Sequence, residues 1–476
     1  MMGARAPATE FPPDLDWVNV DPRPRLADLR GRVALLWFWS YDAVNCWNLV
    51  PDLRRLEAKH HDGLTVLGVH CPKYPHQRES EAVLHAVNRL GLRHPVASDP
   101  QFRLWQAYAI EAWPSVALVD AEGRLAALFA GEGRHDEIDV RVTELLEEAA
   151  LHDLRVYEPS PPASRPEPRH ALAFPGRLLV DADRLYVADS GHHRVLECRD
   201  DGRVKRQFGS GNAAFNDGSA SAACFDNPQG LARWRDGLYV ADSGNHSIRR
   251  IDLGDGSVTT VLGIGRAGRS RPERADPRAT ALNTPLDLCV VGDRLFVAVA
   301  GQNQIWRLDL ARERVSVHAG SGELGRVDGD AGTACFAQPS GLVASGRQLI
   351  VADAAASALR LVGVDDGRTE TLIGRDLYEF GDAIGLRDEV RLQNPLGVAA
   401  DARGTIFVAD SYNQSIKRVD CSSGVARALC LQHRLDEPQG LALTAGHLWI
   451  ANTNRHEIVC VDPETGVARR LPVGEE

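Results

Sequence analysis

Cys46 is placed where a thiol could react. It follows a strongly apolar run, VALLWFW (residues 33–39), and a short polar turn. It precedes Leu49, Leu53 and Leu56, whose spacing of four and three is that of one helix face. A thiol at the start of a helix feels the positive end of the peptide dipoles, which favours the thiolate, the attacking form. Disulfide exchange also needs a second sulfur to resolve the mixed disulfide. Three residues before Cys46 the chain carries Ala43, so the attacking member of a Cys-x-x-Cys pair is missing and Cys46 matches the more buried, resolving member. Asp42 adds a negative charge that disfavours a thiolate. Ordinary dithiol exchange within this stretch is therefore excluded, and Cys46 is expected to be a half-buried thiol packing as a small apolar side chain. Two uses of it stay open. One is single-thiol chemistry. The other is a pair with Cys71, which lies just past a second apolar run, LTVLGVH (residues 64–70); right-handed crossovers would make the two runs parallel and set both thiols at one sheet edge.

Histidines and carboxylates offer less. His193, His246 and His456 share one position of a long repeat, which invites zinc. Equivalent positions in adjacent repeats of that kind lie roughly 10 Å apart, whereas zinc takes each nitrogen at about 2.0–2.1 Å, so no metal site is expected. Asp189, Asp242, Asp353 and Asp410 share another repeat position, with Val299 and Asn452 in the remaining copies, and read as caps of their own turns. His70 and His94 follow strands with no nucleophile beside them, and Trp37, Trp39 and Trp47 read as core.

The elements that must position these residues change character along the chain. Up to about residue 155 the pattern is α/β. Two continuous apolar runs read as central strands buried on both faces, each followed by a helical stretch. WPSVALVD and RLAALFAG form a hairpin, and a last helix carries Ile138, Val142, Leu145, Leu146 and Ala149 on one face. The order β-α-β-α-(α)-β-β-α resembles the thioredoxin fold. RLADLRGRVALLWFWS resembles the lead-in of thioredoxin-like thiol reductases, and EAWPSVALVD puts Pro114 where that fold carries its cis-proline, facing the redox site.

The segment 156–170 holds five prolines and reads as an extended linker. From residue 171 to 476 the chain is a repeat. LYVADSGHHRV, LYVADSGNHSI, LFVAVAGQNQI, LIVADAAASAL, IFVADSYNQSI and LWIANTNRHEI recur at steps of 42 to 57 residues, each preceded by a Pro-x-x-(Leu/Val) unit. Six such copies predict an all-β propeller of six four-stranded blades, and the Asp-Ser-Gly-Asn-His turns resemble the NHL repeat. A thioredoxin-like domain followed by a six-bladed NHL propeller resembles the family of NHL repeat-containing protein 2 and its bacterial relatives. That family's site reads Cys-Cys-Ile-Asn-Cys, and Asp42 to Cys46 stand in its place, with two of three cysteines lost.

The long blade connections, such as GSGNAAFNDGSASAACFDNP and GSGELGRVDGDAGTACFAQP, make the loop face the expected recognition surface for a protein or peptide. Phe215, Glu323, Arg326 and Tyr378 are its candidate contacts. A net charge of −11 argues against nucleic acid. No run reaches the roughly 18 apolar residues of a spanning helix, and the first residues lack a secretory h-region, so neither membrane nor secretion is expected. Nine irregularly spaced cysteines form no disulfide framework. The reading is a cytoplasmic adaptor without cofactor, linked by resemblance to cell redox homeostasis. A thiol-disulfide oxidoreductase or peroxide-linked thiol enzyme using Cys46 is the alternative, and a metal-dependent propeller lyase or lactonase the third.

Overall fold

In the computed structural model, residues 5–158, 163, 165, 168–444 and 446–474 are described. Most of the proline segment 159–167 lies outside them, so the expected linker is not described. The chain forms two compact units, Met1–Pro168 and Arg169–Glu476.

The first unit is a six-stranded sheet. Its strands are β1 (Asp16–Trp17), β2 (Val33–Trp39), β3 (Leu64–His70), β4 (Val96–Ser98), β5 (Ser115–Val119) and β6 (Leu125–Ala130), in the order β1-β4-β3-β2-β5-β6. β2, β3 and β4 run parallel, while β1, β5 and β6 are antiparallel to their neighbours. Every residue of β2 and β3 is buried, as two-faced burial of a central strand requires. The pleat sends alternate residues to opposite faces. Ala34, Leu36 and Phe38 pack with Leu67, Val69, Ala97, Leu104 and Tyr108. Trp37 and Trp39 point the other way and stack at 4.7 Å. The helices are α1 (Val44–Trp47), α2 (Val50–Lys59), α3 (Ser80–Arg89), α4 (Arg103–Ala107) and α5 (His135–Leu151), and α5 buries the five residues its periodicity marked. β1 and β4 were not foreseen: two or three residues are too few for alternation to show. His94 accordingly precedes a strand rather than following one.

The second unit is a six-bladed propeller of antiparallel four-stranded sheets, the third with a short fifth strand, Glu273–Ala275. Each blade comes from one continuous stretch of chain. Six apolar clusters fill the six interfaces, and Leu178, Val187 and Leu196 of the first blade meet Trp449, Ile458 and Leu471 of the sixth. Among the described residues, no strand is exchanged to close the ring. Side chains do it instead: Thr453 Oγ1 donates to Pro175 O at 2.8 Å and Phe174 N–H donates to His456 Nδ1 at 3.1 Å.

The repeat residues are ties. Asp189, Asp242, Asp353 and Asp410 each accept, at 2.7 Å, a backbone N–H sixteen or seventeen residues upstream, in the connection entering their blade. Their second oxygens meet Arg194, Arg249, Arg360 and Lys417, and three also hold a side chain of their own turn: His192, Asn245 and Asn413. The expected local cap is thus half of the arrangement. The repeat histidines are the second tie. His193 and His246 accept from Asn227 and Thr284, the residues just before the next blade's proline, as His456 does from Phe174. Asn303 does the same for Gln338 at the equivalent position.

Candidate functional site

The end of β2 is where the thiol residues gather. Trp39 pairs with His70 at the end of β3, and Cys71 N–H donates to Trp39 O at 2.8 Å. Phe38 pairs with Ser115, which sets Pro114 beside the same strand end. The Trp113–Pro114 peptide is cis. Ala43 caps α1 in extended conformation, and Cys46 N–H donates to Ala43 O at 2.9 Å. The partly exposed position is Ala43; Cys46 is fully buried rather than half-buried. Burial pushes the Cys46 thiol well above its ordinary pKa, and the Asp42 and Glu132 carboxylates add to the rise. Cys71 is equally buried, and its thiol is pushed up by burial, by Asp99 and by Cys46. Both thiols are free.

A polar network fills the place beside them. Asp42 Oδ1 accepts from Ser40 Oγ at 2.5 Å and from Gln77 Nε2 at 2.9 Å, and Lys73 Nζ lies 3.9 Å from Oδ2. Gln77 Oε1 in turn accepts Lys73 N–H and Tyr74 N–H at 2.7 and 3.0 Å. The network joins the turn before α1 to the segment after β3 through hydrogen bonds. Gln77 was not singled out from the sequence, because nothing in its spacing signals a partner thirty-five residues away.

On the sheet face carrying Trp37 and Trp39, His70 is fully buried between Trp39 (5.2 Å, edge-on) and Tyr41 (5.2 Å, stacked). Neither of its ring nitrogens has a hydrogen-bond partner, and burial drives its pKa down to about 3. His94 Nδ1–H donates to Glu57 Oε1 at 3.1 Å.

On the propeller, the connections lie over the outer strands. Gly218, Gly329 and Gly385 make equivalent bridges to Val258, Thr369 and Ala426. Arg249 and Arg360, fully buried, reach out to Asp217 and Asp328 in these loops at 2.6 and 2.9 Å. Of the four loop candidates, Tyr378 is 72% exposed and Glu323 is exposed. Phe215 is 42% exposed but lies under the Arg249 guanidinium at 5.1 Å. Arg326 is half-buried and donates to Thr371 Oγ1 at 3.2 Å and to Arg375 O. Loop residues therefore carry packing duty where pure surface was expected. Among the described residues, no group of three or more His, Cys, Asp or Glu is arranged to hold a metal.

The central channel holds a feature that sequence reading missed. The inner strands open with Pro-x-Gly in four blades, at Gly230, Gly341, Gly397 and Gly440, and with Arg177 and Asp287 in the other two. Arg177 donates at 2.8 Å to the carbonyls of Gln439, Ser340 and Leu396 and lies 3.5 Å from Asp287. Asp287 accepts Leu288 N–H and Leu342 N–H, both at 2.9 Å. The glycines leave the room. A Cβ on Gly230 would meet Asp287 Cα at 2.5 Å, and one on Gly440 would meet Arg177 Cα at 2.9 Å. Two charges breaking a glycine column were the available signal.

A Thioredoxin-like family model matches residues 31–125, and an NHL repeat model matches residues 225–251 and 392–418. NHL repeat-containing protein 2 of Homo sapiens is 34% identical over 522 residues, covering 98% of this chain and 71% of that protein. The Gallus gallus protein of the same name is 35% identical over the same shares. Protein SUPPRESSOR OF QUENCHING 1, chloroplastic, of Arabidopsis thaliana is 35% identical over 96% of this chain, which spans about half (47%) of that protein's length. With both domains in the same order and similarity running nearly end to end, the chain belongs to the family of NHL repeat-containing protein 2.

Proposed function

We propose that this protein is a two-domain binding adaptor, in which the propeller recognises a protein or peptide and the thioredoxin-like domain does not turn over disulfides. One observation carries the second half: at the solvent-facing position of the motif stands Ala43, while the remaining thiol, Cys46, is fully buried and held protonated by burial and two carboxylates. A protonated, enclosed thiol does not attack. Purified protein is expected to reduce insulin no faster than the uncatalysed reductant. Ala43→Cys is expected to form a disulfide with Cys46, seen as loss of two free thiols in the folded protein. Thioredoxin-like turnover by the unaltered chain would sink the adaptor reading.

For the binding half, the support is a rim of apolar side chains on the connections: Phe215, Leu324, Tyr378, Ile384 and Leu386 are 42–72% exposed. Tyrosine and arginine are frequent anchors of interfaces. Tyr378→Ala with Glu323→Ala is expected to leave the melting temperature unchanged and to weaken capture of the propeller's partner in pull-down by at least about tenfold, roughly 1.4 kcal/mol. Phe215→Ala is expected to cost about 1 kcal/mol as well, since it removes a cation–π contact. Intact binding in the Tyr378 variant would move recognition elsewhere. A reducing compartment such as the cytoplasm accords with nine free cysteines, one of them exposed, Cys430.

A further inference from the structure

The connection entering the third blade is built unlike its neighbours. In the second, fourth and fifth blades a buried cation holds the entering connection from inside: Arg249 meets Asp217, Arg360 meets Asp328 and Lys417 meets Asp382, at 2.6–2.9 Å. In the third blade Val299 and Trp306 stand at the positions of the inner carboxylate and the cation, so that tie cannot form. The connection is fixed through its backbone instead. Gly263 N–H donates to Pro277 O at 3.1 Å, Gly268 N–H to Leu282 O at 3.2 Å and Val317 N–H to Pro272 O at 3.1 Å. Gln302 Nε2 donates to Ser270 O at 2.8 Å. The short strand Glu273–Ala275 pairs with Ser316 and Val315 on the blade's outer strand, with Arg274 at a bulge, φ 59°.

What this fixed backbone displays is positive charge. Arg266, Arg269, Arg271, Arg274 and Arg278 are all exposed, and only Glu273 and Asp276 stand among them. Asp276 Oδ1 already accepts Arg278 N–H at 3.0 Å. Among the described residues, the guanidinium groups of Arg266, Arg271, Arg274 and Arg278 make no salt bridge. On a chain of net charge −11 this is a local reversal of sign, and exposed arginines without partners serve no packing need. The patch continues into its neighbours. A Cβ on Gly265 would meet the Phe215 ring at 2.5 Å, and one on Gly322 would meet Arg271 Nη2 at 3.2 Å. Leu324, two residues beyond Gly322, is 55% exposed. Guanidinium forks pair bidentately with carboxylates and phosphates alike. A single nucleic-acid strand also needs aromatic faces for its bases, and Phe215 already lies under Arg249 at 5.1 Å. Its run of phosphates would meet the exposed Glu323 and Asp330 of the next connection. A short peptide places its few charges without crossing them.

We infer that the arginine-bearing connection between the second and third blades docks a short acidic peptide segment, its carboxylates on the arginines and an apolar side chain against Leu324. This rests on the adaptor reading and gives its partner a chemistry. The probes are fluorescein-labelled peptides of about twelve residues, titrated into the full-length protein and followed by anisotropy. One is built of Asp, Glu and Gly with two Leu; the second replaces the acids by Asn and Gln, the third by Lys; a single-stranded RNA of equal length is the fourth. The acidic peptide is expected to bind saturably and more weakly as salt rises, with the neutral and basic peptides and the RNA weaker by at least about tenfold. Arg266→Gln with Arg271→Gln and Arg274→Gln is expected to weaken the acidic peptide at least about tenfold at an unchanged melting temperature. Arg347→Gln, at an exposed hairpin turn on the opposite face, is expected to leave it unchanged. No saturable binding of the acidic peptide, undiminished affinity in the triple variant, equal weakening by Arg347→Gln, or RNA binding as tightly as the peptide would overturn the inference. If partner capture depends on Tyr378 while the acidic peptide does not bind, the adaptor reading stands and this inference falls. Thioredoxin-like turnover of insulin would instead strike the adaptor reading and leave the titration to be judged by itself.

Discussion

Arg177→Ala is expected to destabilise the propeller by about 3–5 kcal/mol, because it leaves Asp287 charged and unpaired in the channel. The guanidinium ties carbonyls of the fourth, fifth and sixth blades to a side chain of the first, and faces a carboxylate of the third. Its loss therefore frees three buried carbonyls as well as one carboxylate. The double substitution Arg177→Gly with Asp287→Gly, which restores the residue found at this position in the other four blades, is expected to cost less than the single one. Hydrogen exchange of inner-strand amides around Leu178 and Leu342, read under increasing denaturant, measures both. If the double variant is the less stable, the crossbar is a net stabiliser and the desolvation argument fails.

Acid is expected to unfold the thioredoxin-like domain through His70. Its folded pKa of about 3 lies below the ordinary value of 6.5, so unfolding takes up a proton throughout that interval. The stability that His70 contributes is complete above about pH 6.5 and is lost as pH falls towards 3. At roughly 1.4 kcal/mol per pH unit, the loss reaches about 4–5 kcal/mol. His246 acts in the same direction in the propeller, its pKa brought down to about 4 by burial. Near-ultraviolet circular dichroism of the stacked Trp37–Trp39 pair reports the first domain. His70→Leu is expected to flatten its acid limb between pH 6 and 4; an unchanged limb would show that His70 is hydrated in the folded state.

Local pattern carried a large part of this protein. Continuous apolar runs marked β2 and β3 because a strand covered on both faces has no polar positions. The periodicity of α5 gave its buried face directly. Six Pro-x-x-(Leu/Val) units specified six blades, since each blade must repeat the same short-range hydrogen bonding. The missing nucleophile at Ala43 was legible as a single letter. What sequence could not reach were interactions whose partners stand far apart along the chain and carry no period. Cys46 was expected half-buried and is fully enclosed, because what covers it comes from other elements. Asp242 and His246 looked like local turn residues, yet each secures a blade connection through one backbone N–H. Arg177 meets Asp287 110 residues later and Gln439 262 residues later. Only closure of the ring brings those atoms to one axis, and only there do a guanidinium and a carboxylate meet across a column of glycines.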